Sequence, residues 1–144
     1  MKKVALFLAN GFEETEALAT VDILRRAQIS VETISISDDK TVTGAHNVSV
    51  IADKTFQEAD FSEVEVLVLP GGMPGAKHLN ESEALKELIT KFNDEGKQIA
   101  AICAAPIVLG GLGLLRDKRA TCYPGFEAEL IGAQTTGENV VVDA

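Results

Sequence analysis

The sequence predicts an α/β fold with a mostly parallel central sheet, helices on both of its faces and one small hairpin. Two observations carry this. Short strand patterns alternate with helical patterns along the chain, which is the rhythm of repeated βαβ units. Hydrophobic residues make up 46% of the 144 residues but aromatics only 5%, so the core is aliphatic, as suits such a sandwich. The length fits one domain over residues 1–144 with a core of its own.

Val4 to Ala9 is a continuous apolar run, as expected of a parallel strand buried on both faces. Glu14 to Gln28 follows as a helix, with Leu18, Val21 and Leu24 at helical spacing and Arg25 and Arg26 in its last turn, where cations suit the helix dipole. Val31 to Ile36 alternates like a strand. Val42 and the run Val48 to Ile51 bracket Gly44-Ala-His-Asn47 and read as a hairpin. Val64 to Leu69 is a second buried strand, stopped by Pro70-Gly-Gly-Met-Pro-Gly75. Ser82 to Glu95 carries Leu85, Leu88, Ile89 and Phe92 on one stripe, a helix closed by Gly96. Ile99 to Ile102 is a strand that feeds Cys103, and a short helix starts at Pro106. Arg119 to Cys122 and Val140 to Asp143 read as late strands.

The net charge is −9, from 22 acidic and 13 basic residues. That balance argues against nucleic acid or an anionic membrane as partner, since phosphate binding needs clustered Lys and Arg. No transmembrane stretch is present. The apolar run after Lys2-Lys3 is too short for a signal peptide. Two cysteines, Cys103 and Cys122, are too few for a disulfide scaffold. A reducing cytoplasm is the expected compartment. No spacing of His, Cys and carboxylates points to a metal.

In sheets of this type ligands bind beyond the carboxyl ends of the strands. Three segments meet that condition. In Gln98-Ile-Ala-Ala-Ile-Cys-Ala-Ala-Pro106 a strand breaks into small residues and a proline, so Cys103 sits at a sharp strand–turn–helix. Such a turn lifts a nucleophile to a helix start, where free N–H groups favour an anion. The plainer reading of Cys103 is a buried structural thiol. The segment Asn10-Gly-Phe-Glu-Glu-Thr-Glu16 opens a helix with acids, which repel phosphate. Glu13 and Glu14 suit the helix dipole in any case, while Glu16 is placed to turn toward Cys103. A protonated Glu16 would donate to the thiolate and serve as acid or base. The glycine loop lacks the Lys-Ser/Thr ending of a phosphate loop and is a poor dinucleotide fingerprint. It reads either as a plain turn or as an oxyanion hole, in which Gly72 lets its N–H approach a substrate oxygen.

Together Ala9-Asn-Gly-Phe-Glu-Glu-Thr-Glu16, Val21-Asp-Ile-Leu-Arg-Arg26, Val68-Leu-Pro-Gly-Gly72 and Ala100-Ala-Ile-Cys-Ala-Ala-Pro106 make the chain resemble the DJ-one/ThiJ/PfpI superfamily, in its DJ-one/ThiJ (YajL-like) branch. The resemblance runs over essentially the whole chain. It implies a flavodoxin-like three-layer sandwich, usually a homodimer, and no cofactor. It implies a reactive, oxidation-sensitive Cys103 bonded by protonated Glu16, with the N–H groups of Gly72 and Ala104 as oxyanion or sulfinate site. Asn10, Glu13, Gly71 and Tyr123 would line or support the pocket. Activities of the family include glyoxalase and deglycase chemistry on methylglyoxal, glyoxal and their adducts, and redox-regulated chaperone behaviour in oxidative stress. Older family labels concern thiazole biosynthesis and proteolysis.

The departures from the pattern narrow the reading. The protease-like branch has a His directly after the nucleophile, where this chain has Ala104. No His follows His78, so a Cys–His dyad within the chain is ruled out. Tyr123 stands where the DJ-one protein has a His; it donates near neutral pH but is a poor base, so proton transfer falls to Glu16. His46 falls where the branch can reach across the dimer interface; alternatively it is an exposed turn residue. His78 reads as surface. Relatives continue beyond a position like Asp143 with a strand, a turn and a long helix, so the chain is expected to be truncated relative to them and less stable than a longer version. The expected function is a cysteine-dependent glyoxalase or deglycase on a small reactive carbonyl. The alternatives are a redox-sensing chaperone whose cysteine becomes a sulfinate, and a binding module whose cysteine only packs. Cys122 reads as a small buried hydrophobe, with a resolving role beside Cys103 as the other reading.

Overall fold

Residues 2–144 are described by a computed structural model. Five strands form one wholly parallel sheet. They are β1 (Lys3–Leu8), β2 (Ser30–Ser35), β5 (Lys54–Thr55), β6 (Val64–Leu69) and β7 (Gln98–Ala101), in the order β5-β2-β1-β6-β7. Strands β3 (Thr41–Thr43) and β4 (Ser49–Ile51) pair as the small antiparallel hairpin. Helix α1 (Glu14–Arg26) joins β1 to β2, while α2 (Gly75–Glu81) and α3 (Glu83–Asp94) join β6 to β7. Helix α4 (Pro106–Gly111) follows β7.

The alternation of β1 explains the layers. Val4, Leu6 and Leu8 point to one face, where they meet Ala17 and Val21 of α1 and Val42 of the hairpin. Ala5 and Phe7 point to the other, where they meet Leu79 of α2, Leu85, Ile89 and Phe92 of α3, and Val108 of α4. A strand that must satisfy two helical layers has no room for a polar residue on either side. This is the three-layer sandwich expected from the sequence. β1 lies at its centre, with the connection to β2 through α1 on one face and the connection from β6 to β7 through α2 and α3 on the other, so the carboxyl ends of β1 and β6 flank a topological switch point.

Several sequence expectations are corrected. The buried stripe of α1 is Ala17 and Val21, with Leu24 half-buried, while Leu18 faces outward at 38% exposure. Val21 and Leu24 face inward as expected, and small Ala17 takes the place against β1 expected of Leu18. Val140 to Asp143 forms no strand. The Asp143 carboxylate takes the Arg119 N–H at 2.8 Å, and the Val142 carbonyl takes the Arg119 guanidinium. The late strand β8 (Arg119–Ala120) pairs instead with β9 (Gln134–Thr135), a pair too short to leave a periodic trace. β5 is missed for the same reason. Among the described residues no helix is long and apolar enough to cross a membrane.

Candidate active site

The carboxyl ends of β1, β6 and β7 bring three segments together. After β7 the chain passes Ile102, whose N–H still donates to Leu69 of β6 at 3.2 Å, and then bends at Cys103. Cys103 has φ 61°, a left-handed conformation that costs a residue with a Cβ. Bonds on both sides hold it there. The Ala105 N–H donates to the Ile102 carbonyl at 3.0 Å, and the Tyr123 N–H to the Cys103 carbonyl at 2.7 Å. Pro106 then sits at the first position of α4, where its missing N–H costs nothing. α4 has six residues, so its dipole is small. The anion-favouring field expected here comes from individual N–H groups rather than from a long helix.

The Cys103 side chain meets Glu16 across Gly71, and the Glu16 carboxyl and the backbone N–H groups of Gly72 and Ala104 are near enough to act on its thiol. Burial pushes the thiol up, the Glu16 charge and its hydrogen bond push it further, and the Gly72 and Ala104 N–H groups pull it down. The net direction is upward, so a thiolate beside a charged Glu16 is disfavoured. Glu16 is aimed by its position in the first turns of α1 and by the Gly71 N–H, which donates to its Oε1 at 2.9 Å.

The glycine loop makes room for this. A Cβ on Gly71 would lie 2.6 Å from the Cys103 Cβ and 2.7 Å from Glu16 Oε1. Gly72 adopts φ 94°, and a Cβ there would meet the Glu13 nitrogen at 2.4 Å. The loop is tied to the start of α1 by the Glu13 N–H donating to the Gly71 carbonyl at 2.9 Å and the Gly75 N–H to the Gly11 carbonyl at 3.1 Å.

The remaining candidates are placed as follows. Glu13 caps α1, its carboxylate taking the Thr15 N–H at 3.3 Å. The Asn10 side chain turns to the hairpin, accepting the Thr43 N–H at 3.0 Å. Tyr123 contributes its backbone to the elbow; the residue is 56% exposed and its ring lies edge-on to Phe126. His46 sits at the hairpin turn and binds within its own chain, its Nδ1 3.1 Å from Glu14 Oε1 and 3.6 Å from Glu13 Oε2. His78 Nδ1 lies 2.7 Å from the Asn10 carbonyl oxygen.

Glu14 is the residue that sequence reasoning passed over. It is buried, and its Oε2 accepts the N–H groups of His46 at 2.8 Å and Val48 at 3.2 Å. Burial alone would raise this carboxyl. The bonds from its own N–H, from Val48 and from the His46 ring and N–H outweigh that and hold it down at about 2. The same contacts, led by the Glu14 hydrogen bond and followed by the charges of Glu13 and Glu14, raise the His46 imidazole. Linear spacing shows no grouping here, yet the fold brings ligand atoms of Glu13, Glu14 and His46 within 4.8 Å of one another. The one sequence trace of this contact is Gly44, where a Cβ would strike the Glu14 carboxyl group.

The DJ-1/PfpI family model matches residues 2–144. Protein DJ-1 homolog B of Arabidopsis thaliana is 36% identical over 141 residues, 97% of this chain, which spans only 32% of that relative's length. Deglycase PH1704 of Pyrococcus horikoshii is 36% identical over 144 residues, covering 98% of this chain and 85% of the relative. Among solved structures, a C103A mutant of the DJ-1 superfamily protein STM1931 from Salmonella typhimurium superposes with a TM-score of 0.94 at 37% identity, covering 99% of this chain and 78% of that one.

Proposed function

The chain belongs to the DJ-1/PfpI family, and from that premise we propose that it is a cysteine-dependent, cofactor-free glyoxalase or deglycase acting on methylglyoxal, glyoxal or their adducts. The observation that carries this reading is the left-handed Cys103 meeting Glu16 across Gly71, whose N–H holds the Glu16 carboxyl in place. Deglycases among the relatives support the reaction class.

In this mechanism the Cys103 sulfur adds to the aldehyde carbon and forms a hemithioacetal. The new oxyanion takes the Gly72 and Ala104 N–H groups, which need no rearrangement to receive it. Glu16 then moves a proton between the two former carbonyl carbons, giving an α-hydroxy thioester. Water cleaves the thioester, releasing lactate from methylglyoxal or glycolate from glyoxal and restoring the thiol. On an adduct the same sulfur displaces the amine or thiol from the aldehyde-derived carbon. Glu16 and Cys103 repel when both are charged, whereas a hydrogen bond donated from one to the other stabilises the pair. The homodimer that the family resemblance implies belongs to the same reading, and the particle mass in solution tests it.

The test is consumption of methylglyoxal by wild type, Cys103→Ala and Glu16→Gln. Losses of about 10²-fold or more in both variants are expected of a nucleophile and its proton shuttle. Wild-type rates in both would overturn the mechanism.

A further inference from the structure

Cys122 has no part in the chemistry above, yet the fold puts it beside the nucleophile. The backbone N–H that closes the elbow on the Cys103 carbonyl, at 2.7 Å, belongs to Tyr123, the residue directly after Cys122. That bond holds the Cα atoms of the two cysteines within about 7.5 Å by backbone geometry, against the usual disulfide span of about 4.4–6.8 Å. Both thiols are free and partly exposed. Charge on Cys103 is among the influences that raise the Cys122 thiol, behind burial and Glu127, so the two sulfurs lie within electrostatic reach. The segment from Thr121 to Phe126 has no regular secondary structure and turns through Pro124 and Gly125 near the surface, so the closing shift of an ångström or so falls on a loop.

We propose that Cys122 is the resolving cysteine for oxidised Cys103. A hydroperoxide transfers one oxygen to the Cys103 thiolate; the O–O bond breaks, an S–O bond forms, and the alcohol leaves, or water when the oxidant is hydrogen peroxide. The Cys122 thiolate then attacks the sulfenic sulfur. The S–O bond breaks, the departing oxygen takes a proton and leaves as water, and the S–S bond forms. Two thiols and one hydroperoxide thus give one disulfide, one alcohol and one water. The disulfide stops oxidation short of the sulfinic acid, which thiols do not reverse, and leaves Cys103 recoverable by thiol exchange. The inference needs a reactive elbow cysteine, not turnover of a carbonyl.

The experiment treats the whole chain with one equivalent of hydrogen peroxide, alkylates it with iodoacetamide under denaturing conditions and measures intact mass. The expected product has lost about 2 Da, takes up no alkyl group, runs as a single chain on a non-reducing gel and regains two alkylatable thiols after dithiothreitol; Cys122→Ser treated with two equivalents gains about 32 Da at Cys103 instead. A wild-type chain that gains oxygen at Cys103 while Cys122 remains alkylatable overturns the proposal, as does a disulfide that links two chains. The wild-type mass decides the matter even if Cys122→Ser fails to fold. A chain inert toward methylglyoxal that still forms the internal disulfide separates this inference from the proposed enzyme.

Discussion

The N–H of Gly71 donates to Glu16 Oε1 at 2.9 Å, and this bond joins the backbone bonds of the same loop in aligning the start of α1 with the end of β6. Glu16 reaches the Cys103 sulfur from a helix; Gly71 reaches Glu16 from a loop, and its missing side chain is what lets all three groups meet. A methyl at this position would overlap the Cys103 Cβ and the Glu16 oxygen together. Gly71→Ala is therefore expected to lose about 1–3 kcal/mol of stability through overpacking and to reduce carbonyl turnover at least as strongly as Glu16→Gln. Thermal melts and rates on the same sample check both. A variant with unchanged turnover would show that the alignment is unnecessary.

Reactivity and catalysis are expected to separate at Glu16. After burial, the Glu16 charge and its hydrogen bond are what raise the Cys103 thiol, while Gly72 and Ala104 act in the opposite direction. Glu16→Gln removes the charge and keeps a donor. The thiol then ionises at lower pH, and iodoacetamide labels Cys103 faster than in wild type near neutral pH. Turnover falls because an amide does not shuttle a proton. Slower labelling in Glu16→Gln would mean that the carboxyl assists the thiolate in the resting protein.

The sheet, α3 and the elbow were legible in the sequence because each depends on local pattern. Val64 to Leu69 is apolar apart from the exposed Glu65 because both of its faces are covered beyond that residue, and Leu85, Ile89 and Phe92 recur at the helical period because one face is. Small residues around Cys103 mark a turn that only a special backbone conformation satisfies. The Glu14–His46 contact joins residues 32 positions apart and obeys no period, so an acid in the first turn of α1 reads as helix electrostatics. Asn10 was expected at the pocket, but its short amide is taken by the hairpin backbone at Thr43. Val140 and Val142 have strand composition, yet they remain 77% and 80% exposed with no strand paired to them. Propensity without a partner does not make a sheet.

The hairpin contact has a pH window. Glu14 is depressed from 4.5 to about 2 in the folded chain, so it contributes stability above its unfolded value and loses it as pH falls toward 2. His46 is raised from 6.5, so its contribution is complete below 6.5 and is lost as pH rises through the raised value. The contact is strongest between about pH 4.5 and 6.5. The difference in melting temperature between wild type and Glu14→Gln is expected to shrink on the acid side of that window. The difference between wild type and His46→Ala is expected to shrink on the alkaline side, more gently, because the imidazole lies largely in solvent. Differences that do not vary with pH would remove the ion pair from the account.

The elbow itself predicts an exchange of stability for chemistry. Cys103 is held at φ 61°, a conformation that costs L-residues with a Cβ about 1–2 kcal/mol and glycine almost nothing. Cys103→Ala keeps that cost and removes the sulfur; Cys103→Gly removes both. Comparing the two variants isolates the backbone contribution, since neither has a thiol for Glu16, Gly72 or Ala104 to contact. Cys103→Gly is expected to be the more stable by roughly 0.5–1 kcal/mol, the gain from relaxed φ exceeding the added flexibility of the unfolded chain. Denaturant melts with equal slopes measure it. If Cys103→Ala proves equal or more stable, the bonds from Ala105 and Tyr123 do not hold the chain against strain, and the turn is relaxed with a side chain in place.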